Sequence, residues 1–183
     1  MKITEMAHLY IKTALQEGGV AVDATAGNGL DTLFLARQVG PGGRVYAFDI
    51  QEEALRRTSA LLQRENLLER VKLIRVGHEQ MSAHVTEAVS AVMFNLGYLP
   101  GGDHSMVTVK ETTLTALKEA LSLLQNGGVI TVVAYPGHHG GKEELKALLD
   151  YCARLNSRAY RVAYTRYLNQ AHQPPALIVV HKL

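Results

Sequence analysis

At 183 residues, 47% apolar and 20% charged, with five prolines and sixteen glycines, the chain has the composition of a folded protein and not of a disordered one. Nineteen Lys and Arg against seventeen Asp and Glu leave a net charge of +2, so any nucleic-acid contact must be a local patch. The lone cysteine, Cys152, excludes a disulfide framework, and no apolar run approaches membrane-spanning length. The amino terminus lacks a signal peptide's apolar core, so a single cytoplasmic domain over residues 1–183 is expected.

In chain order, three- and four-residue spacing of Ile3, Met6, Ala7, Tyr10, Ile11, Ala14 and Leu15 predicts an amphipathic helix over about 3–17, closed by Gly18-Gly19. A strand at 20–24 leads into a glycine turn and a helix at 30–39. Gly40-Pro41-Gly42-Gly43 breaks that helix before a strand at 44–49. A helix at 51–65, a strand at 71–76, a weak helix at 79–88 and a strand at 91–95 follow. Beyond a non-periodic stretch, a helix is expected at 108–124 and a near-continuous apolar strand at 129–135. A helix at 142–155 and two strands, at 158–168 and 176–182, complete the chain. This alternation predicts an α/β fold: an open, mostly parallel sheet with helices on both faces and an antiparallel carboxy-terminal edge. Ligands of such sheets sit outside the strands' carboxyl ends, where Asp23, Asp49, His78, Asn95 and Tyr135 all fall.

The most informative stretch is Val20 to Thr32, strand, small-residue turn and helix start in direct succession. Without bulky side chains, the turn at Ala24, Thr25, Gly27, Asn28 and Gly29 lets a ligand approach its backbone and the first helical amides. The spacing G-N-G-L-D departs from the dinucleotide pattern. Asp31 in the helix's first turn and Asp23 at the strand end would repel a pyrophosphate but suit a ligand with a cationic part. S-adenosylmethionine, with its ammonium and sulfonium groups, meets that description. Asp49, ending the second strand, is placed to accept hydrogen bonds from ribose hydroxyls, which suits that ligand and NAD equally. Gln51 adds a polar group at the next helix start, and His78 and Glu79 can bracket a base at the third strand end.

A second stretch runs from Asn95 through Leu96, Gly97, Tyr98, Leu99 and Pro100 to His104. Asn95 can direct its amide oxygen at an amine, Gly97 permits close approach, and Tyr98 offers an aromatic face to a planar base. The loop at Pro136-Gly137-His138-His139 is expected to contact substrate or its phosphates. Adjacent histidines without a compact ligand set are not read as a metal site, and no metal is expected. In a strand at 158–168, Arg158, Tyr160, Tyr164 and Arg166 would share a face able to meet RNA or another subunit.

Taken together, Asp23 to Thr32, Asn95 to His104 and Tyr135 to His138 resemble, in the same order, the Rossmann-like S-adenosylmethionine-dependent methyltransferases. More narrowly, they are similar to the small bacterial family labelled as rRNA methylases, which includes tRNA methyltransferases acting on 5-aminomethyl-2-thiouridine at the wobble position. The resemblance implies a seven-stranded sheet, methyl transfer to the exocyclic aminomethyl nitrogen, S-adenosylhomocysteine as the spent donor, and the tRNA anticodon stem-loop as partner. On that basis Asp23, Ala24, Thr25, Gly27, Asn28, Gly29 and Asp31 take the donor's methionine end, and Asp49, Gln51, His78 and Glu79 its nucleoside. Asn95 and Tyr98 orient the acceptor, while Leu96, Gly97, Pro100, His104, Tyr135, His138 and His139 line the substrate pocket. Water is a candidate proton acceptor, alongside His104 and His139. A chain this small, with no separate RNA-binding domain in view, is expected to work as a homodimer. An rRNA or small-amine acceptor, or a nonenzymatic nucleotide- or RNA-binding module, are the alternatives that the loop chemistry leaves open.

Overall fold

The computed structural model describes residues 1–97, 101, 107–137, 140–170 and 173–183. Seven strands, β1 (Val20–Asp23), β2 (Arg44–Phe48), β3 (Val71–Ile74), β4 (Val89–Asn95), β5 (Leu124–Ala134), β6 (Tyr160–Arg166) and β7 (Ala176–Lys182), form one sheet in the order β3-β2-β1-β4-β5-β7-β6. The first five are parallel, with Val22 of β1 in register with Tyr46 of β2 and Val92 of β4. β7 runs antiparallel to both β5 and β6, so the last strand in sequence lies inside and β6 forms the edge. Burial explains this inversion: Ala176 to Val180 are all buried apolar residues, whereas most of β6 is exposed. A continuous apolar run needs cover on both faces, and an edge tolerates polar residues.

Alternation along the strands builds two cores, one on each face of the sheet. On one face Val22, Phe48, Phe94 and Ile178 pack against Leu117 and Leu121 of α4 (Lys110–Leu123) and Leu148 and Cys152 of α5 (Gly141–Cys152). Burial pushes the Cys152 thiol up to about 11, so it acts as a small apolar filler. On the other face Ala21, Met93, Val133 and Val179 meet α1 (Ile3–Ala14) and α2 (Leu30–Gln38), while Leu62 comes from α3 (Glu52–Arg64).

Several local expectations change: β5 begins at Leu124 instead of 129 and α5 ends at Cys152 instead of 155. The first helix stops at Ala14 instead of 17, because Leu15 turns to extended backbone and buries its side chain completely. The segment expected as a helix at 79–88 is a 3₁₀ turn at His78–Ala83, with Gln80 outside helical geometry. Arg158 lies in the turn before β6, where its N–H is held by the Asn156 side chain, so it leaves the face predicted for Tyr160, Tyr164 and Arg166.

The position of α1 can be tested by contrast. Ile11→Ala, at a fully buried position, is expected to cost roughly 2–5 kcal/mol in chemical denaturation. Leu9→Ala, on the exposed side of the same helix, is expected to change stability by about 0.5 kcal/mol or less.

Candidate active site

Strand connections diverge at β1 and β4: the chain moves from β1 to one side of the sheet and returns at β4 to build the other. Such a switch point leaves a crevice beyond the strand ends. Here it opens into a cavity of about 690 Å³, and Ala24, Thr25, Ala26, Gly27 and Asn28 line it from the turn after β1. Local hydrogen bonds set the shape of that turn. The Ala24 N–H donates to the Met93 carbonyl at 2.8 Å, the Ala26 N–H to Phe48 at 2.9 Å, and the Asn95 N–H to the Thr25 hydroxyl at 2.8 Å. Gly29 sits at φ +82°, and a Cβ there would meet Thr58 at 2.9 Å, so glycine lets the turn pack directly onto α3.

Three carboxylates surround the turn and have different surroundings. Asp23 is fully buried, accepting from the Thr25 N–H at 3.0 Å and the Thr32 hydroxyl at 2.6 Å. Burial, reinforced by the Asp31 charge, pushes its carboxyl up to about 7. Asp49 lines the cavity and accepts from the Gly27 N–H at 3.0 Å and the Gln51 N–H at 2.9 Å. It therefore braces the turn and still has lone pairs for a ligand. Asp31 lines the cavity between two partners, with His8 Nε2 at 2.6 Å on one oxygen and Asn95 Nδ2 at 3.1 Å on the other. That second bond orients the Asn95 amide, leaving Oδ1 as its acceptor.

The remaining wall is largely apolar. Phe48, Ile50, Leu96, Val107 and Val109 line it, as do Gln51, Gly77, Glu79, Gly97 and Tyr135. His78, almost fully buried, donates from Nδ1 to the Ala24 carbonyl at 3.2 Å and meets the Phe94 ring edge-on at 5.8 Å. Burial lowers its pKa, which keeps the imidazole neutral beside a ligand at ordinary pH.

The structure thus brings together Ala24, Thr25, Gly27, Asn28, Asp31, Asp49, Gln51, His78, Glu79, Asn95, Leu96, Gly97 and Tyr135 around one cavity. Two expected contacts need correction. Neither Asp23 nor Gly29 is among the lining residues: Asp23 points into the turn's own hydrogen-bond network, and Gly29 serves packing against α3. Tyr98, Pro100, His104, His138 and His139 lie outside the described residues.

Several participants were missed in the sequence. His8 of α1 stacks on Phe34 at 3.9 Å and reaches Asp31 across 23 residues. Its one sequence signal was an imidazole beside the apolar stripe of an amphipathic helix. Buried Glu144 accepts from the Thr113 hydroxyl at 2.6 Å and from Thr108 at 3.2 Å, and Thr108 in turn receives the Gly97 N–H at 3.0 Å. These bonds anchor both described ends of the segment after β4. Glu144 was legible in principle, since positions 141, 144, 148 and 152 form the buried stripe of α5. Arg57 adds a tie across the cavity's rim, donating to Asn28 Oδ1 at 3.1 Å and the Gly101 carbonyl at 3.2 Å.

The strand order, the reversed seventh strand and an acidic, partly apolar cavity at the β1/β4 switch point define a Rossmann-like fold of the S-adenosylmethionine-dependent methyltransferase class. The chain belongs to the family described as "Putative rRNA methylase", whose model matches residues 45–181. It is 46% identical to a "putative rRNA-methylase" of known structure from Clostridium thermocellum, covering 100% of this chain and 98% of that one with a TM-score of 0.98. A "putative methyltransferase" from Streptococcus mutans, solved in complex with SAH, is 38% identical over 100% of this chain and 99% of its own, with a TM-score of 0.91. The chloroplastic tRNA (mnm(5)s(2)U34)-methyltransferase of Arabidopsis thaliana is 46% identical over 157 residues, 80% of this chain. The chain spans 57% of the length of that relative.

The raised Asp23 pKa has a stability consequence. The folded protein holds this proton more tightly than an unfolded chain titrating near 3.8. The contribution is therefore fully present below about 3.8 and lost as pH rises through about 7. Asp23→Asn keeps partners for Thr25 and Thr32 without the charge, so its stability relative to the unmodified protein should rise steadily between those pH values. Paired denaturation curves across that range measure the difference, and a flat difference would remove the ionisation from the account.

Proposed function

We propose that this single-domain chain is a cytoplasmic S-adenosylmethionine-dependent methyltransferase whose acceptor is the aminomethyl nitrogen of 5-aminomethyl-(2-thio)uridine at the tRNA wobble position. The observation that carries this reading is the Asp31–Asn95 contact, which couples a carboxylate on the glycine-turn side of the cavity to an amide at the acceptor strand end. The identity to a tRNA (mnm(5)s(2)U34)-methyltransferase supports the choice of acceptor, and the SAH complex of the Streptococcus mutans relative supports the donor.

The residues present suit this donor. Asp31 offers negative charge to its cationic methionine end, and the backbone at Gly27 approaches without side-chain obstruction. Asp49 offers the carboxylate for ribose hydroxyls, Ile50 an apolar surface, and neutral His78 a polar edge that brings no second positive charge. The bound donor supplies an electrophilic sulfonium methyl, so neither a metal nor a covalent enzyme intermediate is required. Asn95 Oδ1 accepts an N–H of the neutral amine and aims its lone pair into the cavity. His8 holds Asp31, and Asp31 holds Asn95, so the acceptor-orienting amide is fixed before substrate arrives. Asp23 and Gly29 act on the donor indirectly, by holding the turn.

Labelled donor should transfer methyl to tRNA carrying the aminomethyl group, and neither to unmodified tRNA nor to ribosomal RNA, when products are digested to nucleosides. Label in ribosomal RNA alone would favour the acceptor that the family description suggests. Asp31→Ala should weaken donor affinity about tenfold or more in calorimetry. Asn95→Ala should lower kcat by roughly 10²-fold with a much smaller change in donor affinity. Equal losses of affinity in both variants would refute the division of roles. The protein is further proposed to act as a homodimer, for which sedimentation velocity should give twice the chain mass.

A further inference from the structure

Beside the cavity, a groove of about 520 Å³ runs between α5 and the edge strand β6. Lys142 and Lys146 line it from the helix, and Tyr164 and Arg166 line it from the strand. Groove and cavity adjoin. Gln173 lines both, and of three consecutive residues Tyr135 and Gly137 face the cavity while Pro136 faces the groove. With its amide turned to satisfy both neighbours, Gln173 donates to the Pro136 carbonyl at 2.9 Å and accepts from Lys142 Nζ at 3.0 Å.

Charge separates the two spaces. Asp31, Asp49 and Glu79 make the cavity acidic, so it can admit a nucleoside bearing an amine but repels the phosphates on either side. Its volume also suits a donor and one nucleoside, not a strand. The neighbouring phosphates must therefore lie outside, and the groove has the opposite charge. It presents three cations against one acid, Asp150, which is paired with Lys146 at 2.7 Å. Among the described residues Arg166 makes no ion pair. Tyr164, 43% exposed, adds an aromatic ring to the same groove.

We propose that this groove holds the RNA strand flanking the target nucleotide, with Lys142 and Arg166 on its phosphates and Tyr164 stacked on a neighbouring base. The inference rests on the RNA-methyltransferase reading and names the surface that reading lacks. Cations and an aromatic face together match single-stranded RNA, as in an anticodon loop, because each nucleotide offers both a phosphate and a stacking surface. Phosphate contacts position the strand, and the cavity selects the base.

The test uses the full chain, an anticodon stem-loop RNA and tRNA carrying the aminomethyl group. Fluorescence anisotropy over a salt series reads binding, and calorimetry reads donor affinity. Lys142→Gln with Arg166→Gln should weaken stem-loop binding about tenfold or more and flatten the logarithmic salt dependence by about 1.4, at roughly 0.7 per single-strand phosphate contact. Donor affinity should stay unchanged, and the loss in methylation should appear in the KM for tRNA. Tyr164→Ala should weaken binding about fivefold or more without altering the salt slope, and Tyr164→Phe should restore it. Unchanged RNA affinity and salt slope in these variants, while the unmodified protein methylates tRNA, would overturn the groove assignment alone. Donor binding by the unmodified protein with methyl transfer only to small amines would overturn the RNA reading, and the groove assignment with it. A change in self-association instead of RNA affinity would assign this face to a protein contact and overturn the proposal.

Discussion

The turn after β1 depends on a carboxylate withdrawn from water. Asp23 accepts the Thr25 N–H on one oxygen and the Thr32 hydroxyl on the other, tying the beginning of the turn to the first helical turn beyond it. Burying a charge there would be costly, and the raised pKa expresses that cost as a tendency to keep the proton. With the turn so held, backbone amides from Ala24 and Ala26 can pair with β4 and β2, and Thr25 can receive the N–H of Asn95. The cavity floor is thus continuous with the hydrogen bonding of the sheet.

From that fixed turn, the neighbouring carboxylates acquire different tasks. Asp49 is partly engaged with backbone amides and partly open to the cavity, a combination that braces a loop while leaving acceptor capacity for a ligand. Asp31 links α1 to β4 through His8 and Asn95. This gives the first helix a role beyond covering one face of the sheet. Glu144 does comparable work on the far side, where Thr113 ties α5 to α4 and Thr108 ties it to the segment following β4. Both arrangements place a rigid secondary element behind a cavity-lining loop, the condition under which such a loop can hold ligand geometry.

Much of this architecture was readable from local pattern. The alternating strands and helices, the small-residue turn and the polar residues at strand ends all rest on short-range periodicity and turn chemistry. The negative sign was read from Asp23 and Asp31 together, and of the two only Asp31 lines the cavity. Asp23 was the misleading member. Its position at a strand end looks the same in sequence whether the side chain turns toward a ligand or back into the loop. Its two buried hydrogen bonds decide between those orientations. Likewise, Arg158 fitted the face shared by alternate residues, but β6 begins only at Tyr160.

By itself, the sequence determined the α/β class, the glycine turn as the ligand-facing element, and a preference for cationic over pyrophosphate chemistry there. These follow from residues adjacent in the chain, whose steric and electrostatic consequences are local. Tertiary structure decided the insertion of β7 between β5 and β6, the conversion of Asp23 from an expected contact into a buried brace, and the joining of His8, Asp31 and Asn95. The last of these brings together groups separated by 23 and 64 residues. Only packing of α1 and β4 against a common sheet sets their distance, because no local propensity acts across such spans.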